Sequence, residues 1–190
     1  MEVKWIGSPN FTKDRAGFRP EAIVIHIMAG TLIGTDAHFQ VKGSNPVSAH
    51  YGVGKNGEIH QYVSESNSAW HAGVINNPTW SLMKKGINPN HYTVGIEFEG
   101  QPGDVWTPEM KRAGADLILD ISSRWGIPID RQHVVGHYEI DAIRRPNCPA
   151  IKKGIIDELI VLAQNPQIGE AIAKLEEALK ILKGLTIKQI

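Results

Sequence analysis

One cysteine, Cys148, stands in the whole chain, so no disulfide can form within it. No run of apolar residues is long enough to cross a membrane, and the opening Met1-Glu2-Val3-Lys4-Trp5 lacks the apolar stretch of a secretory signal. The expectation is a chain made in the cytoplasm with no membrane anchor, which reaches any substrate beyond the membrane only after release. Net charge is missing as well. Twenty Lys and Arg balance twenty Asp and Glu, which argues against a nucleic-acid partner, since such binders carry a net basic face. No internal repeat is evident. What remains is an ordinary globular balance, 42% hydrophobic and 21% charged over 190 residues. That length suits one domain, or one domain with an appendage, and buries enough surface to hold without cross-links.

Along the chain, residues 22–28 form a short, β-branched apolar run, the pattern of a strand buried on both faces. Gly30 and Gly34 punctuate a turn, and a short helix is expected over 35–42 with Thr35 as its cap. Segments 47–54 and 58–63 flank Lys55-Asn56-Gly57, a strong hairpin signal. Residues 72–90, rich in Gly, Asn and Pro, read as a long functional loop. In 92–99 the alternation places Val94, Ile96 and Phe98 on one face and Glu97 and Glu99 on the other. Thr107-Pro108 opens a helix whose apolar positions are Ala113, Leu117, Ile118 and Ile121; Gly126 and Pro128 end it. A short strand follows at His133–Gly136, then an amphipathic helix over 150–163. The order predicts an α/β fold, a mixed central sheet flanked by helices. Asn165-Pro166 separates a main domain, 1–164, from a C-terminal helix, 165–190. In that helix Ile168, Ile172, Leu175, Leu179 and Leu182 form a heptad-like stripe. The stripe either packs on its own domain, joins protomers into a homo-oligomer, or forms a spacer.

Among eight histidines, His26 interrupts the buried apolar strand. A buried imidazole needs partners for both nitrogens, so His26 is either a hydrogen-bonded core residue or a metal ligand. His137 follows a glycine at a strand end, and Cys148 lies between Asn147 and Pro149 on a loop. Two neutral imidazoles and a thiolate suit zinc, and three protein ligands leave a fourth position open. The spacing of these three is no local signature. His133 and His137 lie four apart, but Val134, Val135 and Gly136 disfavour the helix that such a pair needs.

Read in order, Ile23-Val24-Ile25-His26, Val47-Ser48-Ala49-His50-Tyr51, Asn56-Gly57, Ala69-Trp70-His71-Ala72-Gly73, Val94-Gly95-Ile96-Glu97-Phe98-Glu99-Gly100, Gly136-His137 and Cys148-Pro149 resemble the N-acetylmuramoyl-L-alanine amidase family. That family includes phage lytic amidases, cytosolic wall-recycling amidases and peptidoglycan recognition proteins. The resemblance covers roughly residues 20–150. It implies a zinc in a surface groove, with peptidoglycan, a muramyl peptide, as substrate. By resemblance His26, His137 and Cys148 match the zinc ligands and Glu97 the acid/base. His71 matches a groove-lining position, and His50 sits close to where some relatives place a catalytic tyrosine. The family often has Lys or Thr two residues before the third ligand. Pro146 stands there and cannot serve, so Arg145, or else Arg144, is expected to supply the charge. Trp70, Trp80 and Asn77, with the loop around it, are expected to wall the groove, or the tryptophans merely to anchor the loop. His38, His60 and His91 receive no role. The expected reaction is zinc-dependent hydrolysis of the N-acetylmuramoyl-L-alanine amide bond, with a phage endolysin preferred over a cytosolic recycling enzyme. A non-catalytic peptidoglycan-binding module and an unrelated zinc hydrolase are the rival classes.

Overall fold

The computed structural model describes residues 1–43, 45–150 and 154–187. In chain order the strands and helices are β1 (Lys4–Trp5), β2 (Phe11–Thr12), β3 (Ala22–Ile27), α1 (Leu32–His38), β4 (Tyr51–Val53), β5 (Ile59–Gln61), β6 (Ser68–Ala69), β7 (Thr93–Phe98), α2 (Pro108–Trp125), β8 (Val134–Gly136), α3 (Gly154–Gln164) and α4 (Pro166–Ile187). Six strands form one mixed sheet in the order β1-β5-β4-β7-β3-β8, and β2 pairs with β6 separately. Among the described residues, only the β4–β5 hairpin, turned at Asn56-Gly57, is antiparallel within the large sheet. The expected α/β architecture with a mixed central sheet is therefore what the chain adopts.

The central strand β3 is buried at all six positions, as its unbroken β-branched run requires. Its two faces do different work. Ile23, Ile25 and Ile27 lie with Val94, Ile96 and Phe98 of β7 against α2 and α3. Burying each such side chain stabilises the fold by roughly 1.5–3 kcal/mol. On α2, Leu117, Ile118 and Ile121 are fully buried. Thr107 caps this helix by accepting from the Met110 N–H, and Gly126 ends it at φ +67, a left-handed conformation that glycine adopts without strain. The opposite face of β3 carries Val24 and His26. Val24 packs into a smaller cluster with Ala72, Trp80, Tyr92, Val135 and Ile140. The loop over 72–90 thus folds back over the sheet, and one end of that face stays open.

One expectation changes. The first helix runs over Leu32–His38 and is capped by Thr31, which accepts from the Gly34 N–H; Thr35 lies inside it, buried. Leu32 and Thr35 are buried on α1, which packs against β4, and the helix accordingly starts a turn earlier than expected. Of the helix expected over 150–163, residues 151–153 lie outside the described residues, and α3 begins at Gly154. On α4 the stripe is half-covered near its start and more open further along. Ile168 and Ile172 are each 40% exposed, and Leu175 and Leu179 are 65% and 54% exposed. The helix meets α2 near its start, where Arg112 donates to the Gly169 carbonyl. Among the described residues, no helix is long and apolar enough to cross a membrane.

Candidate active site

Register brings the polar residues together. His26 on β3 is directly paired with Glu97 on β7, and Glu97 with Gly52 on β4. Paired residues in a sheet point to the same face, so the imidazole and the carboxyl stand side by side. Ile25 pairs with Gly136, which delivers His137 to the neighbouring position just past the end of β8. There the chain turns into a 3-10 helix, His137–Glu139, and the Tyr138 N–H donates to the Cys148 carbonyl at 3.0 Å. That bond, with the Ile27 N–H donating to Cys148 Sγ at 3.4 Å, draws the loop bearing the cysteine under His26.

His26 Nδ1 lies 3.0 Å from His137 Nδ1 and 3.9 Å from Cys148 Sγ, and one donor atom from each of the three residues falls within 4.8 Å of the others. A tetrahedral zinc with ordinary bond lengths separates two nitrogens by about 3.3 Å and a nitrogen from a sulfur by about 3.6 Å. The observed distances bracket these values, so the three residues fit such an ion. Their electrostatics fit as well. Burial, and then the neighbouring His137, hold His26 well below the ordinary histidine range, while burial and Arg145 push His137 down to about 4. Both rings are therefore neutral near pH 7 with a lone pair to offer. Burial, and then Glu97, push the Cys148 thiol up to about 12. A buried thiol gives up its proton when a cation takes its place.

These groups open into a cavity of ≈ 470 Å³. Its lining includes His26, Glu97, His137, Cys148, Trp70, His71, Arg144 and Arg145. Burial pushes the Glu97 carboxyl up to about 8, with Arg145 pulling the other way. Its Oε2 is buried and accepts no hydrogen bond from any described residue. Arg145 is exposed at the cavity, and its charge acts on His26, His137, Cys148 and Glu97 alike. No such influence is evident for Arg144, whose main-chain N–H donates to Asp141. Trp70 is partly buried at the wall, and its Nε1–H donates to Thr12 Oγ1 at 2.9 Å.

Several sequence candidates lie elsewhere. His50 is fully buried and does not line the cavity: its Nδ1 accepts the Gly95 N–H at 3.0 Å, and its ring packs edge-on behind His71. Trp80 is 5% exposed, stacks on Tyr92 and donates from Nε1 to the Gln132 carbonyl, so it anchors the loop and does not wall the cavity. Asn77 is exposed at φ +48 in that same loop, outside the lining. Glu99 accepts the Lys55 N–H at the hairpin and stays outside as well. His38, given no role by the sequence, lines the cavity from the last turn of α1, next to Phe39. Only the packing of α1 on the sheet puts it there, and no local pattern signals it. Arg15 was also missed. Its buried guanidinium donates to the Thr93 carbonyl at 3.0 Å and meets His50 Nε2 at 2.9 Å, tying the strands behind the site.

A family model described as N-acetylmuramoyl-L-alanine amidase matches residues 16–151, a span holding every residue of this site. The N-acetylmuramoyl-L-alanine amidase A of Achromobacter lyticus is 33% identical over 129 residues, 66% of this chain and 64% of that protein. The 1,6-anhydro-N-acetylmuramyl-L-alanine amidase AmpD of Salmonella typhimurium strain SL1344 is 30% identical over 163 residues, 76% of this chain and 82% of that protein. The chain spans half of the Haemophilus influenzae AmpD, 50% of its length. Among solved structures, a selenomethionine AmpD derivative superposes with a TM-score of 0.69 at 24% identity, covering 83% of this chain and 94% of that one. A mutant form of PlyL does so with 0.62 at 16% identity, covering 87% and 99%. These two likenesses show the fold, while the family match and the Salmonella relative carry the assignment: the chain belongs to the N-acetylmuramoyl-L-alanine amidase family.

Proposed function

We propose that this chain hydrolyses the amide bond between N-acetylmuramic acid and L-alanine in peptidoglycan, with zinc held by His26, His137 and Cys148. The observation that carries this reading is the pairing in register of His26 and Glu97, beside His137 and Cys148, at the base of one open cavity. Zinc bound there supplies a Lewis acid that polarises a carbonyl and acidifies a water. The chain's own groups do the rest. Glu97 takes a proton from the attacking water and returns it to the departing L-alanine nitrogen, which leaves poorly unless protonated. Burial pushes this carboxyl up to about 8 in the metal-free site, and a cation held beside it would lower it toward the range where its base form is present near neutral pH. The Arg145 guanidinium faces the developing oxyanion and steadies it. The Trp70 ring offers a flat apolar wall to a sugar or stem peptide. The products are a free carboxyl on the muramic acid lactyl group and a free amine on L-alanine.

The test is incubation of the zinc-loaded protein with purified peptidoglycan. New N-terminal L-alanine without new reducing sugar ends is expected, abolished by a chelator and restored by zinc. Tight wall binding with no release would instead place the protein among recognition modules. In the phage endolysin reading the substrate is the intact wall. A second reading, turnover of soluble muropeptides, is favoured by the relatives named 1,6-anhydro-N-acetylmuramyl-L-alanine amidase, one of which aligns over 163 residues. Comparing rates on insoluble wall and on soluble 1,6-anhydro-muropeptide separates the two.

A further inference from the structure

We infer that His71 and Thr93 are positioning residues: through a one-way chain of hydrogen bonds they decide which nitrogen of His26 is left bare to hold the metal. The inference rests on the metal reading above and deepens it. The chain starts at a fixed carbonyl. Thr93 Oγ1 lies 2.8 Å from the Pro89 carbonyl oxygen, in a buried setting. A carbonyl only accepts, so the Thr93 hydroxyl hydrogen points at Pro89. Were it to point elsewhere, two buried oxygens would face each other at that distance with no proton between them. Thr93 Oγ1 is thereby left as the acceptor toward its other neighbour, His71 Nε2, at 3.3 Å. His71 must then carry its proton on Nε2, and a neutral imidazole has only one to carry.

The other nitrogen of His71 follows. Nδ1 is bare and faces His26 Nε2 at 3.1 Å, so His26 donates there. His26, in turn, holds its proton on Nε2 and keeps the lone pair on Nδ1. That is the nitrogen lying 3.0 Å from His137 Nδ1 and 3.9 Å from Cys148 Sγ, where the donor atoms converge. The direction of one threonine hydroxyl thus propagates through two rings to the ligand position. Partners of this kind set both the tautomer and the angle of a metal-bound ring.

The surroundings hold His71 where the chain needs it. Its own N–H and that of Ala72 both donate to Asn90 Oδ1, at 3.2 and 2.8 Å. Its ring lies flat against β7 at Gly95, where a Cβ would come within 2.5 Å of His71 Cγ. Glycine is therefore required at 95 for the ring to reach His26 at all. One consequence departs from the role that the family resemblance implies. His71 lines the cavity, yet both its nitrogens are committed within the protein, so its contribution to the reaction is made through His26 and not by touching substrate.

The test uses the full chain with histidine labelled by nitrogen-15, and zinc affinity measured by competition with a chromophoric chelator. In the metal-free protein the ring nitrogen shifts are expected to show His26 and His71 both protonated at Nε2. His71→Phe keeps a flat ring but removes the acceptor, and zinc affinity is expected to fall about tenfold to a hundredfold. His71→Asn, whose Oδ1 stands where Nδ1 stood, is expected to restore most of that loss. The Thr93 carbonyl also accepts from His71, so Thr93→Val keeps the shape and removes only the hydroxyl acceptor, and a minor second tautomer of His26 is expected beside the main one. A His26 protonated at Nδ1 in the wild type, or wild-type zinc affinity in His71→Phe, would overturn the inference. Absence of zinc binding by the wild type would refute the metal reading instead, and the His26 tautomer in that same sample would still decide the hydrogen-bond chain.

Discussion

Glu97→Gln is the most informative single change, because activity and stability are expected to move in opposite directions. Burial raises the carboxyl from its ordinary value of 4.5 to about 8 in the folded protein. The folded state therefore binds a proton that the unfolded state has released across that interval, and stability falls as pH rises through it. At pH 7 the wild type must take up this proton to fold. The distance from 4.5 to 7, at about 1.4 kcal/mol per pH unit, comes to about 3 kcal/mol. Glutamine has the same shape and no such cost. Part of the gain is lost because the new amide also lacks a partner where Oε2 lies, which takes about 1 kcal/mol. The net expectation for the metal-free protein at pH 7 is a stabilisation of about 2 kcal/mol, or roughly 4–8 °C in Tm for a chain of this size. Hydrolysis is expected to drop at least about a hundredfold. Urea or thermal unfolding of both proteins in a chelator, at several pH values between 4.5 and 8, reads this directly. The stability gap should widen with pH and close or reverse near pH 4.5. A gap that stays constant across this range would show that burial does not hold Glu97 protonated, and its poise near neutrality would be refuted.

The other expectations are simpler. Cys148→Ser replaces a thiolate by a neutral hydroxyl and should weaken zinc binding by at least about tenfold in a chelator competition; undiminished affinity would remove Cys148 from the ligand set. Arg145→Ala should lower kcat about a hundredfold while Arg144→Ala changes it little, and equal effects would show that the geometry has not distinguished them. Gly95→Ala should cost about 1–3 kcal/mol in denaturant unfolding, because the added methyl meets the His71 ring; wild-type stability would mean that the ring has room to move. The exposed face of α4 is expected to join two copies, so removing residues 165–190 should halve the mass found by light scattering; a monomer both before and after would refute this.

Much of the fold was readable from local pattern. The run over 22–28 was best explained as a doubly buried strand, which β3 is over Ala22–Ile27, and alternation alone placed Glu97 opposite Val94, Ile96 and Phe98. The Asn56-Gly57 turn and the Thr107 cap follow from backbone chemistry that a few residues decide. The site was less legible, since its residues come from strands and loops more than a hundred positions apart. Family resemblance brought His26, His137, Cys148, Glu97 and Arg145 together; composition and spacing left His26 open between core and ligand.

Where pattern and structure part, the cause is tertiary. His50 and Asn77 were expected at the site and packing turns both away, His50 inward against Gly95 and Asn77 out into solvent; Trp80, expected either to wall the groove or to anchor its loop, stacks on Tyr92 as an anchor. His38 moved the other way because α1 lies along the cavity. The sequence by itself determined the period of each segment, its caps and its turns, because these depend on neighbours within a few residues. Only the tertiary structure decided which polar side chains share one face in register, which nitrogen of His26 meets its partners, and what charge Glu97 holds. Those properties depend on distances across the sheet and on exclusion of water, and neither is a property of any short stretch of chain.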